Sequence, residues 1–136
     1  MFEWHEYLEF ADALYNGEQG AFGQELRHRN SVSRAYYGAY CMARNFCHRK
    51  KIFYPKGAVE DHGDLIDACK KHVNYDLKEV GKSLEWLRWR RNDCDYLNDL
   101  NDSRLIKKLE DTADQALERA FEISNELLLK ADKDIS

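Results

Sequence analysis

The amino-acid sequence predicts an all-α protein, an up-and-down bundle of four to five helices in a single domain over residues 1–136. Three observations predict it. Apolar residues recur three and four positions apart through long segments, one proline interrupts the whole chain, and runs of Val, Ile and Thr that would favour strands are missing. With 43% hydrophobic and 34% charged residues, the chain falls among folded rather than disordered proteins and can bury one continuous core.

The first helix is expected over Phe2–Tyr15, where Trp4, Tyr7, Leu8, Ala11, Leu14 and Tyr15 fall at helical spacing, and Asn16-Gly17 should stop it. Gly17, Gly20 and Gly23 then mark a connection, with a short turn of helix over Gln24–His28. A second helix should begin between Asn30 and Ser33, capped by the asparagine or a serine, and run to about Lys50. Its inward positions are Val32, Ala35, Tyr36, Ala39, Met42, Ala43 and Phe46, and the small residues Ala35, Gly38, Ala39 and Ala43 invite a close neighbour. Lys51–Glu60, with Pro55 and Gly57, reads as a loop. Asp61 is the expected cap of a third helix reaching Val73, with Leu65, Ile66, Cys69 and Val73 inward. A fourth helix is expected from Asp76 to Leu97. A last one should run from Asp102-Ser103 toward Lys130, on the order of 40 Å long.

No stretch approaches the eighteen or so apolar residues that a membrane span needs, and the start, Met-Phe-Glu-Trp-His-Glu, does not read as a signal peptide. Cysteines at 41, 47, 69 and 94 lack a close CxxC pair, which points to reduced thiols and a cytoplasmic protein. Cys41, Cys47 and His48 offer a metal reading, but their spacing is looser than zinc sites use, so neither a metal nor a cofactor is expected.

Charge is unevenly spread. From Leu26 to Val59 there is no acidic residue, while Arg27, Arg29, Arg34, Arg44, Arg49, Lys50, Lys51 and Lys56 all lie there; the chain after Asp93 is correspondingly acidic. Such a window is either an anion or nucleic-acid face or the complement of an acidic helix in the same fold or a partner.

In the fourth helix Leu77, Val80, Leu84, Leu87, Arg91 and Cys94 follow steps of three and four, so Arg91 stands where the pattern asks for leucine. A guanidinium there needs a carboxylate, a phosphate or an interface. Asp95 shares its face, but acid after base is the weaker order at this spacing, and carboxylates near a helix C-terminus oppose its dipole. Asp93 and Asp95 are therefore expected to find another cation, with Arg34 the candidate. Trp86 and Trp89 are expected to pack or to make subunit contacts.

Two segments together, Ser33-Arg34-Ala35-Tyr36-Tyr37-Gly38-Ala39-Tyr40 and Arg91-Asn92-Asp93-Cys94-Asp95-Tyr96, resemble the HEPN superfamily, in particular prokaryotic members with a Ser-Arg-Ala-Tyr-Tyr helix and a late Arg-x-x-Ala-Asp-Tyr motif. His62-Gly63 and Leu84–Leu87 fit the same layout, and the likeness runs from about Trp4 to Leu128. The resemblance implies a homodimeric helical bundle. It also implies metal-independent ribonuclease chemistry of toxin–antitoxin or antiphage-defence type, in which an Arg steadies the phosphate and a His beyond it moves the 2′-hydroxyl proton. Here the positions four to six beyond Arg91 are Asp95, Tyr96 and Leu97, with no histidine. The candidate catalytic residues are accordingly Arg91, Asn92, Asp95 and Tyr96, and the candidate RNA- or nucleotide-binding residues Arg34, Tyr37, Arg29 and His62. Three readings stay open: an RNA-binding or RNA-cleaving protein; a non-catalytic binding module partnering a nucleotidyltransferase or antitoxin-like protein; and a dimeric helical scaffold.

Overall fold

In a computed structural model describing residues 2–17, 23–97 and 109–136, the described residues form helices joined by loops, with no strand among them. Helix α1 spans His5–Tyr15, α2 Gln24–Arg49, α3 Asp61–Lys71 and α4 Tyr75–Tyr96. Helix α5 (Leu109–Glu122) runs through a π-helical turn (Ile123–Leu127) straight into α6 (Leu128–Asp134), making one long rod. The all-helical bundle predicted from the periodicity is the observed fold, and no described helix is long and apolar enough to cross a membrane.

Helix α2 is the central element, packing against α1, α4 and α5, while α3 packs on α4. Its inward stripe is the expected one: Val32, Ala35, Tyr36, Ala39, Ala43 and Phe46 are buried, with Met42 half-buried at the edge. Leu77, Val80, Leu84 and Leu87 of α4 meet it, and Ala113, Ala116, Ala120 and Ile123 close the core from the long rod. Two glycines set the helix spacing. A Cβ on Gly38 would come 2.8 Å from Leu8 Cδ2 and 3.3 Å from the Trp4 carbonyl oxygen, so α1 crosses α2 there nearly backbone to backbone. A Cβ on Gly81 would lie 2.8 Å from the Lys70 backbone nitrogen, which fixes the α3–α4 crossing in the same way.

Several local expectations are corrected. Helix α1 starts at His5, not Phe2. The separate turn over Gln24–His28 and a helix start at Asn30–Ser33 are replaced by one continuous α2 from Gln24, because the two serines bond other elements instead of capping. Ser31 Oγ donates to the Ala11 carbonyl at 2.8 Å and Ser33 Oγ to Asp95 at 3.2 Å. Asp61 is the first helical residue of α3, and its carboxylate accepts the Lys56 and Gly57 N–H groups at 3.0 and 2.9 Å; it holds the preceding loop rather than capping its own helix. Val73 lies beyond α3 and is 91% exposed, not inward. The cap of α4 is Asn74, whose side chain accepts the Leu77 N–H at 2.9 Å. The last rod continues past Lys130 to Asp134; the expected start at Asp102-Ser103 lies outside the described residues. Lys50 ties the two C-terminal ends together through Asp132 (2.8 Å) and the Ile135 carbonyl (2.9 Å).

Candidate functional site

The second stripe of α2 faces a cleft of about 720 Å³ rather than the core. Asn30, Ser33, Arg34, Tyr37, Cys41 and Arg44 repeat at three and four, so one face of the helix forms the cleft floor. Trp4 and Tyr7 at the start of α1 make one wall, Asp61 and His62 at the start of α3 another, and Arg91 and Asp95 of α4 a third. The crossing at Gly38 brings the α1 wall in. The placement of the α4 end has its own device: Arg29 Nη1 donates to the Cys94 and Leu97 carbonyl oxygens at 3.0 and 2.7 Å, satisfying acceptors that a helix C-terminus leaves open. Arg27 does the same for α1, donating to the Leu14 carbonyl at 3.2 Å.

Arg91 occupies the seam position that its spacing indicated, with its side chain 14% exposed. Its Nη2 donates to the Tyr37 hydroxyl and its Nη1 to Asn92 Oδ1 at 3.1 Å. Nε sits 2.9 Å from Asp95 Oδ2, whose side chain is 27% exposed, but its N–H finds no aligned acceptor, so this contact is an ion pair without a hydrogen bond. The guanidinium also lies 4.7 Å from the centre of the Tyr37 ring and 5.5 Å from that of Tyr96. The expectation that Arg34 would neutralise Asp93 or Asp95 is overturned: Asp95 is taken by Arg91 and Ser33, within one turn and one neighbouring helix. Arg34 instead lies over the Tyr7 ring at 5.8 Å and Arg44 over the Trp4 ring at 5.7 Å, and neither makes an ion pair among the described residues. At about 1.5 Å per residue, Arg34 and Arg44 stand roughly 15 Å apart along α2, with Arg91 reaching in at Tyr37 between them.

His62 stacks on Tyr40 at 4.1 Å with an interplanar angle of 12°, and its Nδ1 lies 2.5 Å from the hydroxyl of Tyr36, which is fully buried. Burial lowers the His62 pKa below the usual imidazole value, and the Arg88 and Arg91 charges lower it further. Burial likewise drives the Tyr36 phenol well above its ordinary value and the Tyr40 phenol to about 12, so both keep their protons. Burial would raise the Asp61 pKa, but hydrogen bonds from the Lys56, Gly57 and Ala58 backbone outweigh it and hold the carboxylate ionised.

Of the residues singled out from the sequence, the cleft brings together Arg91, Asp95, Arg34, Tyr37 and His62. Asn92 and Tyr96 do not line it; they brace Arg91 from outside, and Tyr96 is 68% exposed. Arg29 is occupied at the end of α4. Sequence reasoning did not select Arg44, Ser33 or the Trp4–Tyr7 wall, although the second three–four repeat on α2 carries a signal for the first two. All four cysteines are free and buried, Cys47 and Cys69 with their sulfurs 3.7 Å apart, and no cluster of metal-ligating side chains occurs among the described residues. No family model, curated protein or solved structure matches the chain.

Proposed function

We propose that the chain is a HEPN-like RNA- or nucleotide-engaging protein of the toxin–antitoxin or antiphage-defence kind, and that the α2–α4 cleft receives the phosphates. One observation carries the reading: Arg34, Arg44 and Arg91 line a single cleft together with tyrosine hydroxyls and an imidazole. Guanidinium groups are suited to phosphate because they present several N–H donors in one plane and stay charged at every working pH. The roughly 15 Å spread of the three cations suits a run of phosphates in a strand better than one isolated phosphate. The Asp61 and Asp95 carboxylates stand against the three guanidinium groups and leave the lining with one net positive charge. The reading includes a homodimer formed through the exposed end of α4, near Asn92 and Tyr96.

Within this reading the site is either a metal-independent endoribonuclease or a non-catalytic module partnering a nucleotidyltransferase or antitoxin-like protein. A specific observation favours the second: Arg91 is engaged by Tyr37, Asn92 and Asp95, and Asp95, Tyr96 and Leu97 stand where a proton-accepting histidine would be needed.

The test is a fluorescence-anisotropy titration of a labelled single-stranded oligoribonucleotide in EDTA, with the same samples run on a denaturing gel. Wild type should bind, more weakly as salt rises, and Arg91→Ala should lose about tenfold or more in affinity. Binding insensitive to both salt and Arg91→Ala would sink the proposal. Shortening of the oligonucleotide on the gel, abolished in Arg91→Ala, would select the nuclease; intact oligonucleotide would select the binding module.

A further inference from the structure

The Tyr36–His62 pair can be read by accounting for hydrogens. The Tyr36 ring is fully buried, and among the described residues its hydroxyl has one partner, His62 Nδ1 at 2.5 Å. A hydroxyl has one hydrogen to place. If Nδ1 carried a proton and donated it, the phenol hydrogen would be left without an acceptor in the core, which a buried donor tolerates poorly. The phenol keeps its proton and therefore donates it to Nδ1. A neutral imidazole accepting at Nδ1 carries its own hydrogen on Nε2. The stack on Tyr40 fixes the ring plane, and Nε2, on the far side from Tyr36, makes no hydrogen bond among the described residues and is not enclosed by them, while the ring lines the cleft beside Arg91.

We propose that His62 is an anion-binding residue of this cleft, a neutral Nε2–H donor to a phosphate oxygen next to Arg91, and that Tyr36 positions it by selecting that tautomer. The proposal rests on the reading of the cleft as a phosphate site and adds to it the protonation state of His62 and a positioning role for Tyr36. The surroundings favour a neutral donor. His62 faces Tyr36, Tyr37, Tyr40 and Arg44 from α2, Asp61 from its own helix, and Arg88 and Arg91 from α4. Three guanidinium groups oppose a further positive charge, and the one carboxylate is turned onto the Lys56–Gly57 backbone. A neutral N–H adds a hydrogen bond to the ligand without adding repulsion to the empty site. The same tautomer has no lone pair on Nε2, so His62 cannot take a ribose proton there. It binds where a general base would abstract, which accords with the non-catalytic form of the proposed function.

The direct measurement is a long-range proton–nitrogen correlation spectrum of the uniformly ¹⁵N-labelled full chain at pH 7.5. His62 should give the pattern of a neutral Nε2–H ring, and Tyr36→Phe should shift it toward a mixture with Nδ1–H. A wild-type ring that is charged, or protonated on Nδ1, overturns the proposal. The second measurement titrates inorganic phosphate and the labelled oligoribonucleotide. His62→Phe keeps the ring stacked on Tyr40 but removes the donor, and should weaken both by about tenfold. Because His62→Phe strands the Tyr36 hydroxyl, Tyr36→Phe/His62→Phe is the control that replaces both polar partners by apolar rings; it should fold stably and bind as weakly as His62→Phe. Oligonucleotide binding that needs Arg91 but is unchanged in the double variant overturns the role of His62 alone. Binding that ignores Arg91 overturns the underlying reading of the cleft.

Discussion

Helix α4 carries two arginine–aromatic clusters five residues apart, and they have different characters. Around Trp86, the guanidinium groups of Arg90 and Arg119 lie 4.9 and 4.6 Å from the indole centre, and Arg119 also donates to Ser83 Oγ at 3.2 Å. The neighbouring lysines and glutamates are matched: Lys70 with Glu85 at 2.9 Å, Lys82 with Glu79 at 3.9 Å. Both clusters line clefts, about 590 Å³ around Trp86 and about 720 Å³ around Arg91, and in both the arginines rest on rings; around Arg91 a half-buried histidine also faces the opening. Arginine over an aromatic ring is thus not itself the mark of a site. The distinguishing feature is His62, an imidazole held at Nδ1 by Tyr36 with its second nitrogen left open toward the cleft. Trp86 packs against the core, and its cluster serves to hold α4 against the long rod.

The largest expected effect removes a wall from one region and leaves the other intact. Gly38→Val would drive a side chain into Leu8, Tyr7 and the Trp4 carbonyl, so α1 must move away from α2. A cost of about 1–3 kcal/mol is expected from overpacking at such a contact, measured by urea unfolding. The Trp4–Tyr7 wall moves with α1, so RNA affinity should fall as well. Ser83→Ala is the matching change in the other cluster: about 1 kcal/mol of stability for the lost hydrogen bond, with RNA affinity unchanged. RNA binding equally affected by the two would erase the distinction between the regions.

A smaller effect separates the cations themselves. Arg34→Gln and Arg44→Gln should each lower the slope of log affinity against log salt by about 0.7, the value for one phosphate contact on a single strand. Arg119→Gln should leave that slope where it was. Slopes that fail to change in Arg34→Gln and Arg44→Gln would reduce the proposed phosphate site to Arg91 and His62.

The seam was legible because it depends on local periodicity: Leu77, Val80, Leu84 and Leu87 are fully buried and Arg91 follows them in register. The second stripe of α2 was present in the sequence in the same way, but polar positions at helical spacing ordinarily mean solvent, so Ser33 and Arg44 carried no separate weight. The ion pair was misassigned because side-chain order along an isolated helix disfavours Arg before Asp, a preference of a few tenths of a kcal/mol. Tyr37 and Ser33, brought up by α2, settle the orientation of both groups and override it. His62 was legible as a candidate binding residue but not in its protonation state. Its significance lies in Tyr36, twenty-six positions earlier, and in the burial that fixes which atom of the pair holds the proton. Asp61 illustrates the converse: an acid before an apolar run looks like a cap, yet the loop folds back and claims its carboxylate.

The smallest effect concerns proton linkage, and it again falls on the cleft side of the comparison. Burial lowers the pKa of both His62 and His28 below the ordinary value of about 6.5, and no such group lies in the Trp86 cluster. With the folded pKa below the unfolded one, the unfolded chain binds more protons between the two values, so stability rises with pH through that window. The contribution is fully present above about pH 6.5 and is lost as the pH falls through the folded-state pKa. Urea midpoints measured from pH 7.5 down to pH 5 should therefore decline, and the Tyr36→Phe/His62→Phe double variant should decline less, retaining only the His28 share of this term. A double variant that follows wild type over the whole range would place the proton-sensitive group elsewhere and remove the His62 contribution from the contrast between the two clusters.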